Sequence, residues 1–410
     1  MPKLVAHQAD TQSKLMEGWQ LKILMLSWEY PPNIVGGLSK HVSSLAVQLA
    51  KLGHEIHVLT AGNRHLPSFE EINGVKVHRV TPLNYQDDCF LSWIGGLNLA
   101  MAFKAESLVK EFTFDLIHAH DWLVGAAALV LKDVLSIPLL STIHATEHGR
   151  NNGIYTEMQK FIHEKERDLI IGSDQLIVCS QYMKEQLLTV FQATEENIII
   201  IPNGVEPPET FLKIEDWIPK LKNKKYIFSI GRMVKEKGFE TIIEAAALAK
   251  EQGFDYTFII AGKGPMLDTF RRVTVERGLE NHVSFIGYIT EEQKNALISG
   301  CMAAVFPSLY EPFGIVALET LIQGKPTIVA NTGGLKGIIK HLQTGLLMNP
   351  GDEKSLLEQI HFLSKHLHIA NQIGAKGMEM VESLYRWNRI AADTSRVMED
   401  TVLNSRIKER

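Results

Sequence analysis

The segment FPSLYEPFGIVALE carries the residues best suited to chemistry on a charged ligand. The proline after Glu311 forces an extended backbone, and Gly314 opens a predicted helix whose first amides, at Ile315 and Val316, have no partner within the helix. Those amides favour an anion such as a phosphate, and Glu319 follows one to two turns later. One carboxylate would then hold sugar hydroxyls and the other a ribose. An ordinary helix start with an exposed acid is the alternative.

Two other segments offer places for a phosphate. The pair Gly36–Gly37 lies between a predicted strand and a predicted helix, where glycine lets an anion approach the backbone; a tight turn with positive φ is the alternative. Arg232 and Lys237 in GRMVKEKG precede a predicted helix and together suit a diphosphate, although a solvated turn has the same composition. The loops after AGKGP and FIGYI add candidate nucleotide contacts, among them Tyr288.

Two histidines end the predicted strand in FDLIHAHDW. The period of two places His118 and His120 on one side of the sheet, with Asp121 following in the loop. Because the carboxyl ends of parallel strands form the functional edge of a sheet, His120 is predicted to bond a polar ligand. A metal site is disfavoured here because the pattern supplies no third ligand.

The segment ATEHGRNNG follows the next buried strand and contains planar hydrogen-bonding groups of the kind that recognise carbohydrate. A solvated loop has the same composition, so both interpretations stay open at this point. The candidates for contact with an acceptor are His144, Glu147, Arg150 and Asn151, with His148 and Asn152 beside them.

Strands and helices alternate along the chain, and this alternation must position all of these segments. Apolar runs of strand length, such as LKILMLS and YIFSIGR, are followed by helical patterns, for instance over Leu38–Leu52, Leu97–Phe112 and Glu157–Gly172. The pattern predicts an α/β chain with two doubly wound halves, joined by the linker PPETFLKIEDWIPKLKNKK. The ligand is expected at the carboxyl ends of the strands, in the cleft between the halves.

Length and composition exclude several classes of protein. The chain has 410 residues, more than one ordinary domain, and 42 Lys+Arg against 47 Asp+Glu without a basic block, which disfavours a nucleic-acid partner. It has no apolar run long enough for a transmembrane segment, and its first twenty residues lack the apolar centre of a secretory signal. The scattered Cys89, Cys179 and Cys301 form neither a disulfide framework nor a metal pair, so a cytoplasmic location is predicted.

The chain resembles the large retaining glycosyltransferase family that includes glycogen synthases and sucrose synthases, of the family 4 and 5 type. The motifs that carry the resemblance stand in family order between Leu21 and Trp387: PPNIVGGLSKHV, IHAHDW, ATEHGRNNG, IPNGV, IGRMVKEKG and EPFGIVALE with GGLKGII. The resemblance implies the GT-B fold, in which two Rossmann-like domains face each other across a cleft. We expect a flexible leader at 1–20, an acceptor-side domain at 21–205, a nucleotide-sugar domain at 206–387, and a helix at 388–410 that crosses back.

The resemblance also implies roles for single residues. It places Glu311 and His120 at the transferred sugar and Glu319 at the ribose. At the donor diphosphate it places Gly37, Arg232, Lys237 and the amides of Gly314, Ile315 and Val316. The family is described by same-face attack in which the departing phosphate takes the acceptor's proton. Glu311 is then an orienting group rather than a nucleophile.

The resemblance is strongest toward members that synthesise α-glucans, through HAHDW and ATEHGRNNG. It implies transfer of glucose from UDP- or ADP-glucose to an α-1,4-glucan. No cofactor or metal is expected, because the chain has no Asp-x-Asp and Arg232 with Lys237 supplies countercharge. The alternatives are a mannosyl- or glucosyltransferase for a lipid or small-molecule acceptor, an epimerase, a phosphorylase that holds pyridoxal phosphate, and a non-catalytic nucleotide-sugar-binding relative. Peripheral membrane contact is disfavoured by the mixed charge of Glu157–Gly172.

Overall fold

The computed structural model describes residues 19–209, 212, 214–218, 221 and 224–408. All but two residues of the predicted leader, and part of the predicted linker, lie outside this described chain. The described chain forms two compact units. The first contains the residues up to Thr142, Glu164–Leu176 and those from Ala391 onward, and the second contains Ile143–His163 and Ile177–Ile390. The domain boundaries at 205 and 387 stay predictions.

The first sheet has eight strands in the order β3-β4-β2-β1-β5-β6-β7-β8. They are β1 (Lys22–Ser27), β2 (Glu55–Ala61), β3 (Phe69–Ile72), β4 (Val75–Val80), β5 (Leu116–His120), β6 (Leu139–Ile143), β7 (Gln175–Val178) and β8 (Ile198–Ile200). The strands from β4 to β6 pair in parallel, and β3 lies antiparallel on β4. From β1 the sheet is extended on one side by β2 and β4 and on the other side by β5 and β6. The gap between β1 and β5 is therefore a topological switch point, where doubly wound sheets bind ligands.

Helices alternate with the strands of this sheet. They are α1 (Gly37–Lys51), α2 (Phe90–Leu108), α3 (Gly125–Leu135), α4 (Glu147–Asn151), α5 (Glu157–Gly172) and α6 (Gln181–Val190), with 3-10 turns at Trp122–Val124 and Glu195–Asn197. The helix predicted over Leu97–Phe112 is α2, which begins seven residues earlier and ends at Leu108. Gly95 and Gly96 weaken the helical pattern of its first turns. A side chain at Gly96 would overlap Asn84, so close packing requires the glycine there.

The second sheet has six strands in the order β11-β10-β9-β12-β13-β14, and every neighbouring pair is parallel. They are β9 (Tyr226–Ile230), β10 (Thr257–Ala261), β11 (Val283–Gly287), β12 (Ala303–Phe306), β13 (Thr327–Ala330) and β14 (Leu346–Met348). Here β9 and β12 flank the switch point, in the strand order of a Rossmann fold.

Nine helices in the described chain accompany this sheet and the carboxyl terminus. They are α7 (Ile214–Trp217), α8 (Phe239–Glu251), α9 (Leu267–Glu276), α10 (Glu291–Gly300), α11 (Ile315–Leu321), α12 (Leu335–Ile338), α13 (Glu353–Lys365), α14 (Leu367–Leu384) and α15 (Trp387–Lys408), with a 3-10 turn at Lys235–Lys237. The core of the second unit contains Phe239 and Ile242 of α8 together with Leu356 and Ile360 of α13. The two parallel sheets with interleaved helices confirm the predicted α/β, doubly wound fold class.

The carboxyl-terminal part of α15 belongs to the first unit. Ser395 Oγ lies 2.8 Å from His54 Nε2, and Arg406 Nη2 lies 2.9 Å from Asp115 Oδ1. Within the described ranges, no helix has both the length and the apolar character that crossing a membrane requires.

A pair of stacked histidines inside the first unit predicts a pH dependence of stability. His57 Nδ1 lies 3.1 Å from His78 Nε2, and both side chains are buried between β2 and β4. Burial, and then the neighbouring His57, lowers the pKa of His78 from 6.5 to about 4. Between pH 6.5 and about pH 4, His78 is therefore protonated in the unfolded chain and neutral in the folded chain.

Above pH 6.5 the titration of His78 should leave the free energy of unfolding unchanged. By about pH 4.5 it should lower the free energy of unfolding by about 2 kcal/mol. The measurement is urea unfolding at neutral and acidic pH for the wild type and for His78→Asn, with the exposed His65→Asn as the matched control. The stability of His78→Asn should fall less between the two pH values. An acid-induced loss as large in His78→Asn as in the wild type would contradict the assignment.

Candidate functional site

A lysine and a glutamate meet at the carboxyl ends of β9 and β12. The Lys237 ammonium donates to Glu311 Oε2 at 2.6 Å, and the Ser308 hydroxyl lies 3.4 Å from the same oxygen. Glu311 is only 8% exposed, and burying its charged carboxylate without a cationic partner would cost free energy. The structure thus brings together two residues that the sequence singled out in separate motifs.

Backbone contacts fix the position of Glu311. The carbonyl of Glu236, beside Lys237, accepts hydrogen bonds from the amides that precede Glu311, from Leu309 at 2.8 Å and from Tyr310 at 3.2 Å. On the other side, the Glu311 carbonyl accepts from the Gly334 amide at 2.8 Å. Loops from three strands therefore hold this carboxylate in place.

The helix predicted after Gly314 is α11. Gly314 has φ of 106°, a left-handed conformation that favours glycine, and it turns the chain so that the first amides of α11 start at Ile315. A small cavity at this edge is lined by Lys237, Ser308, Glu311 and Val316, together with residues of β9 and β12. An ammonium, a carboxylate and the beginning of a helix therefore line one space.

Glu319 of α11 is buried in an ion pair. Its Oε2 lies 2.8 Å from Lys294 Nζ, and both side chains are about 7% exposed. The alternative of an ordinary exposed acid is therefore wrong, because Glu319 faces into the second unit. Lys294, on α10, was missed by the sequence analysis, since it stands in no motif. The contact of Glu319 with a ribose stays a prediction.

Arg232 and Tyr288 are open to solvent. The guanidinium of Arg232 is about half exposed and pairs with Glu236 at 3.3 Å. The ring of Tyr288 follows β11, and Lys263 Nζ from the loop after β10 lies 4.9 Å from its centroid, a cation–π contact. Both side chains are therefore available to a ligand at the carboxyl ends of the strands.

In the first unit, the amides of the glycine loop bind the chain's own carboxylate. Glu29 Oε2 accepts hydrogen bonds from the Val35 amide at 2.5 Å and from the Gly36 amide at 3.1 Å. Burial raises the pKa of Glu29, while these backbone bonds oppose the rise. The Gly36 amide therefore already binds a carboxylate of this chain, and Gly37 begins α1. No sequence signal distinguished Glu29 from the surrounding turn residues.

His120 ends β5 inside a group of imidazoles. Its ring centroid lies 4.2 Å from that of His118 and 5.5 Å from that of His41 on α1, and all three side chains are buried. His118 Nε2 lies 2.8 Å from Thr142 Oγ1. Asp121 follows with φ of 60°, a conformation rare outside glycine, at the predicted functional edge. The sequence pattern supplied no third imidazole, but the fold places His41 beside His120.

The polar segment ATEHGRNNG contains a short helix, α4, rather than a loop throughout. The Thr146 hydroxyl caps it by accepting from the Gly149 amide at 3.0 Å. The Glu147 carboxylate accepts a hydrogen bond from the Asn151 side-chain amide at 2.9 Å and lies 3.9 Å from the Arg150 guanidinium. Glu147 thus contacts two other residues that are predicted to bind the acceptor substrate. Burial lowers the pKa of His144 to about 4.

The same segment contacts the loop that carries Glu311. The Tyr310 hydroxyl accepts from the Thr146 amide at 3.4 Å, and a side chain at Gly149 would crowd the Tyr310 ring. The Ser180 hydroxyl, at the start of α6, donates to the Pro312 carbonyl at 2.7 Å. The polar segment and the residues on either side of Glu311 thus belong to one packed region of the second unit.

Comparisons with known proteins match nearly the whole chain. The Glycosyltransferase Family 4 model matches residues 35–208, and the model of Glycosyl transferases group 1 matches residues 213–380. An uncharacterized glycosyltransferase of Methanocaldococcus jannaschii is 34% identical over 92% of this chain and 97% of its own length. A glycogen synthase of Mycobacterium tuberculosis is 31% identical over 92% of this chain and 94% of its own.

Among solved structures, the sucrose-phosphate synthase from Thermosynechococcus elongatus is similar in fold. It aligns with a TM-score of 0.82 over 93% of this chain and 99% of that chain, at 23% sequence identity. At this identity the likeness concerns the fold alone.

Proposed function

Because the chain belongs to the GT-B glycosyltransferases of the glycogen and sucrose synthase type, we propose that it transfers glucose from UDP- or ADP-glucose to an α-1,4-glucan, with retention of configuration. The observation that carries the proposal is the contact of Lys237 with Glu311 at the switch point of the second sheet. The similarity to a glycogen synthase supports the choice of acceptor.

The chemistry develops negative charge on the leaving diphosphate as the bond from the anomeric carbon to the phosphate oxygen breaks. In this proposal Lys237, Arg232 and the first amides of α11 would stabilise that charge. The acceptor oxygen forms its bond to the anomeric carbon on the same face, and its proton passes to the departing phosphate. In this proposal Glu311 orients the sugar hydroxyls, with Lys237 holding its carboxylate in place.

We propose roles for the remaining predicted residues as well. Glu319, fixed by Lys294, would bind the ribose, and Tyr288 would contact the nucleotide. His120 would bond the C6 hydroxyl of the transferred sugar, and Gly37 would lie at the diphosphate. The proposed acceptor contacts are His144, Glu147, Arg150 and Asn151.

We propose further that neither a metal nor a cofactor is required, since Arg232 and Lys237 would supply countercharge to the diphosphate. The test offers UDP-glucose, ADP-glucose, GDP-mannose and UDP-GlcNAc, each with and without glycogen or maltooligosaccharide, in the presence of EDTA. We expect release of UDP or ADP that depends on the glucan and is unchanged by EDTA.

Other outcomes of this test would favour the alternatives. Turnover of GDP-mannose, or release without dependence on glucan, would favour a lipid or small-molecule acceptor. Binding of a donor without release by any acceptor would favour a non-catalytic relative, and a yellow pyridoxal absorbance would favour a phosphorylase. Loss of activity in EDTA that magnesium restores would contradict metal independence.

A further inference from the structure

A second cavity lies at the opposite edge of the second sheet from Lys237 and Glu311. Its volume is about 290 Å³, and its wall includes Lys224, Lys225, Met302, Lys325, Leu367 and Asn371. Lys224 and Lys225 precede β9, Met302 precedes β12 and Lys325 precedes β13, whereas Leu367 and Asn371 belong to α14. Because β9, β12 and β13 are adjacent and parallel, their amino ends meet at one edge. Ligands of doubly wound sheets bind at the carboxyl edge, so the donor site does not account for this cavity.

All the charged residues that line the cavity are cationic. Three of its lining residues are lysines and none is an aspartate or glutamate. Throughout the described part of the chain, no carboxylate forms an ion pair with Lys224, Lys225 or Lys325, whereas Lys237 and Lys294 are both paired. Three lysines in the wall of one cavity make its electrostatic potential positive, and a bound anion would lower the repulsion among their charges.

The rest of the lining adds to the attraction for an anion. The 18-residue helix α14 begins at Leu367 in the cavity wall, so the positive end of its dipole adds to the three ammonium charges. Met302, Leu367 and Ala370 offer apolar surface, and Asn371 offers hydrogen bonds. The volume lies just below the roughly 300–1,000 Å³ of small-molecule sites, which suits a phosphorylated monosaccharide better than a nucleotide sugar.

We propose that this cavity binds a small phosphate ester, with the phosphate held by Lys224, Lys225 and Lys325. Ammonium groups bind phosphate as point charges and form charge-assisted hydrogen bonds to its oxygens. The site is separate from the proposed donor site, because it uses the amino ends of strands whose carboxyl ends carry Lys237 and Glu311. Its occupancy does not depend on the proposed transferase activity.

The test is a calorimetric titration of the full chain with ribose 5-phosphate, with UDP present in excess to fill the donor site, and with unphosphorylated ribose as the neutral control. The test variants are the double substitution Lys224→Gln with Lys225→Gln, and Lys325→Gln. The matched control is the double substitution Lys354→Gln with Lys376→Gln, two exposed lysines of the same unit outside the cavity. Thermal unfolding establishes that each variant folds.

We expect ribose 5-phosphate to bind the wild type and the control variant equally, and to bind each test variant about tenfold more weakly, since each loses charge-assisted hydrogen bonds to the phosphate. Unphosphorylated ribose should not bind measurably. Equal affinity of the wild type and the test variants for ribose 5-phosphate would overturn the proposal. Absence of ribose 5-phosphate binding to the wild type would overturn it as well.

Discussion

Replacing Lys237 with alanine should lower kcat/KM about a thousandfold. The ammonium lies 2.6 Å from the buried Glu311 carboxylate, at the edge where the donor diphosphate is proposed to leave. Its removal takes away a positive charge that counts most in the transition state, and it leaves Glu311 without its ion-pair partner. Initial rates with the preferred donor and maltooligosaccharide measure the effect, and the loss should fall mainly on kcat.

Lys235→Ala is the matched control for Lys237→Ala, because Lys235 belongs to the same 3-10 turn and its side chain is exposed. We expect this variant to retain nearly full activity. A double-mutant cycle with Glu311→Gln should show strong coupling, as for residues in contact. If Lys237→Ala and Lys235→Ala lost activity equally, the proposed role of the ion pair would be wrong.

Gly333→Ala should lower kcat about a hundredfold, although Gly333 presents no side chain to a ligand. Gly333 has φ of 50°, and an added Cβ would overlap the carbonyl oxygen of Glu311. The backbone of Glu311 must then move, which displaces the carboxylate from Lys237. The measurement is kcat under saturating donor, together with thermal unfolding to establish that the variant is folded.

Gly337→Ala offers a close control for this substitution. Gly337 lies four residues further along, in the short helix α12, and an added Cβ there meets no atom within 4 Å. Alanine also favours helix more than glycine does, so activity and stability should be preserved. Equal kcat for Gly333→Ala and the wild type would show that the position of Glu311 does not depend on this contact.

The sequence predicts much of the fold because the buried strands are continuous apolar runs. Strands β1 and β9 are recognisable in LKILMLS and YIFSIGR for this reason. In contrast, β3 alternates exposed and partly buried residues at a sheet edge, and nothing in its composition marks it as a strand. The early turns of α2 contain Gly95 and Gly96, which local helix preference opposes, and packing against Asn84 requires the second of them.

The candidate site was less accessible from the sequence, because its contacts join distant segments. Lys237 and Glu311 stand in separate motifs, and their contact follows from the pairing of β9 with β12. Lys294 reaches Glu319 from another helix, so only the packing of α10 reveals it. In the first unit, the glycine loop suggested a place for a phosphate, but the amides of Val35 and Gly36 bind the Glu29 carboxylate.

The most direct test of the proposed glucosyl transfer is proton NMR of a reaction between maltopentaose and the preferred donor, UDP-glucose or ADP-glucose. We expect anomeric signals of new α-1,4 linkages to grow in step with release of the nucleoside diphosphate. Lys237→Ala under the same conditions should show hardly any growth. New β-linkages would contradict retention of configuration, and an unchanged maltopentaose spectrum with every donor would contradict the assignment of an α-glucan acceptor.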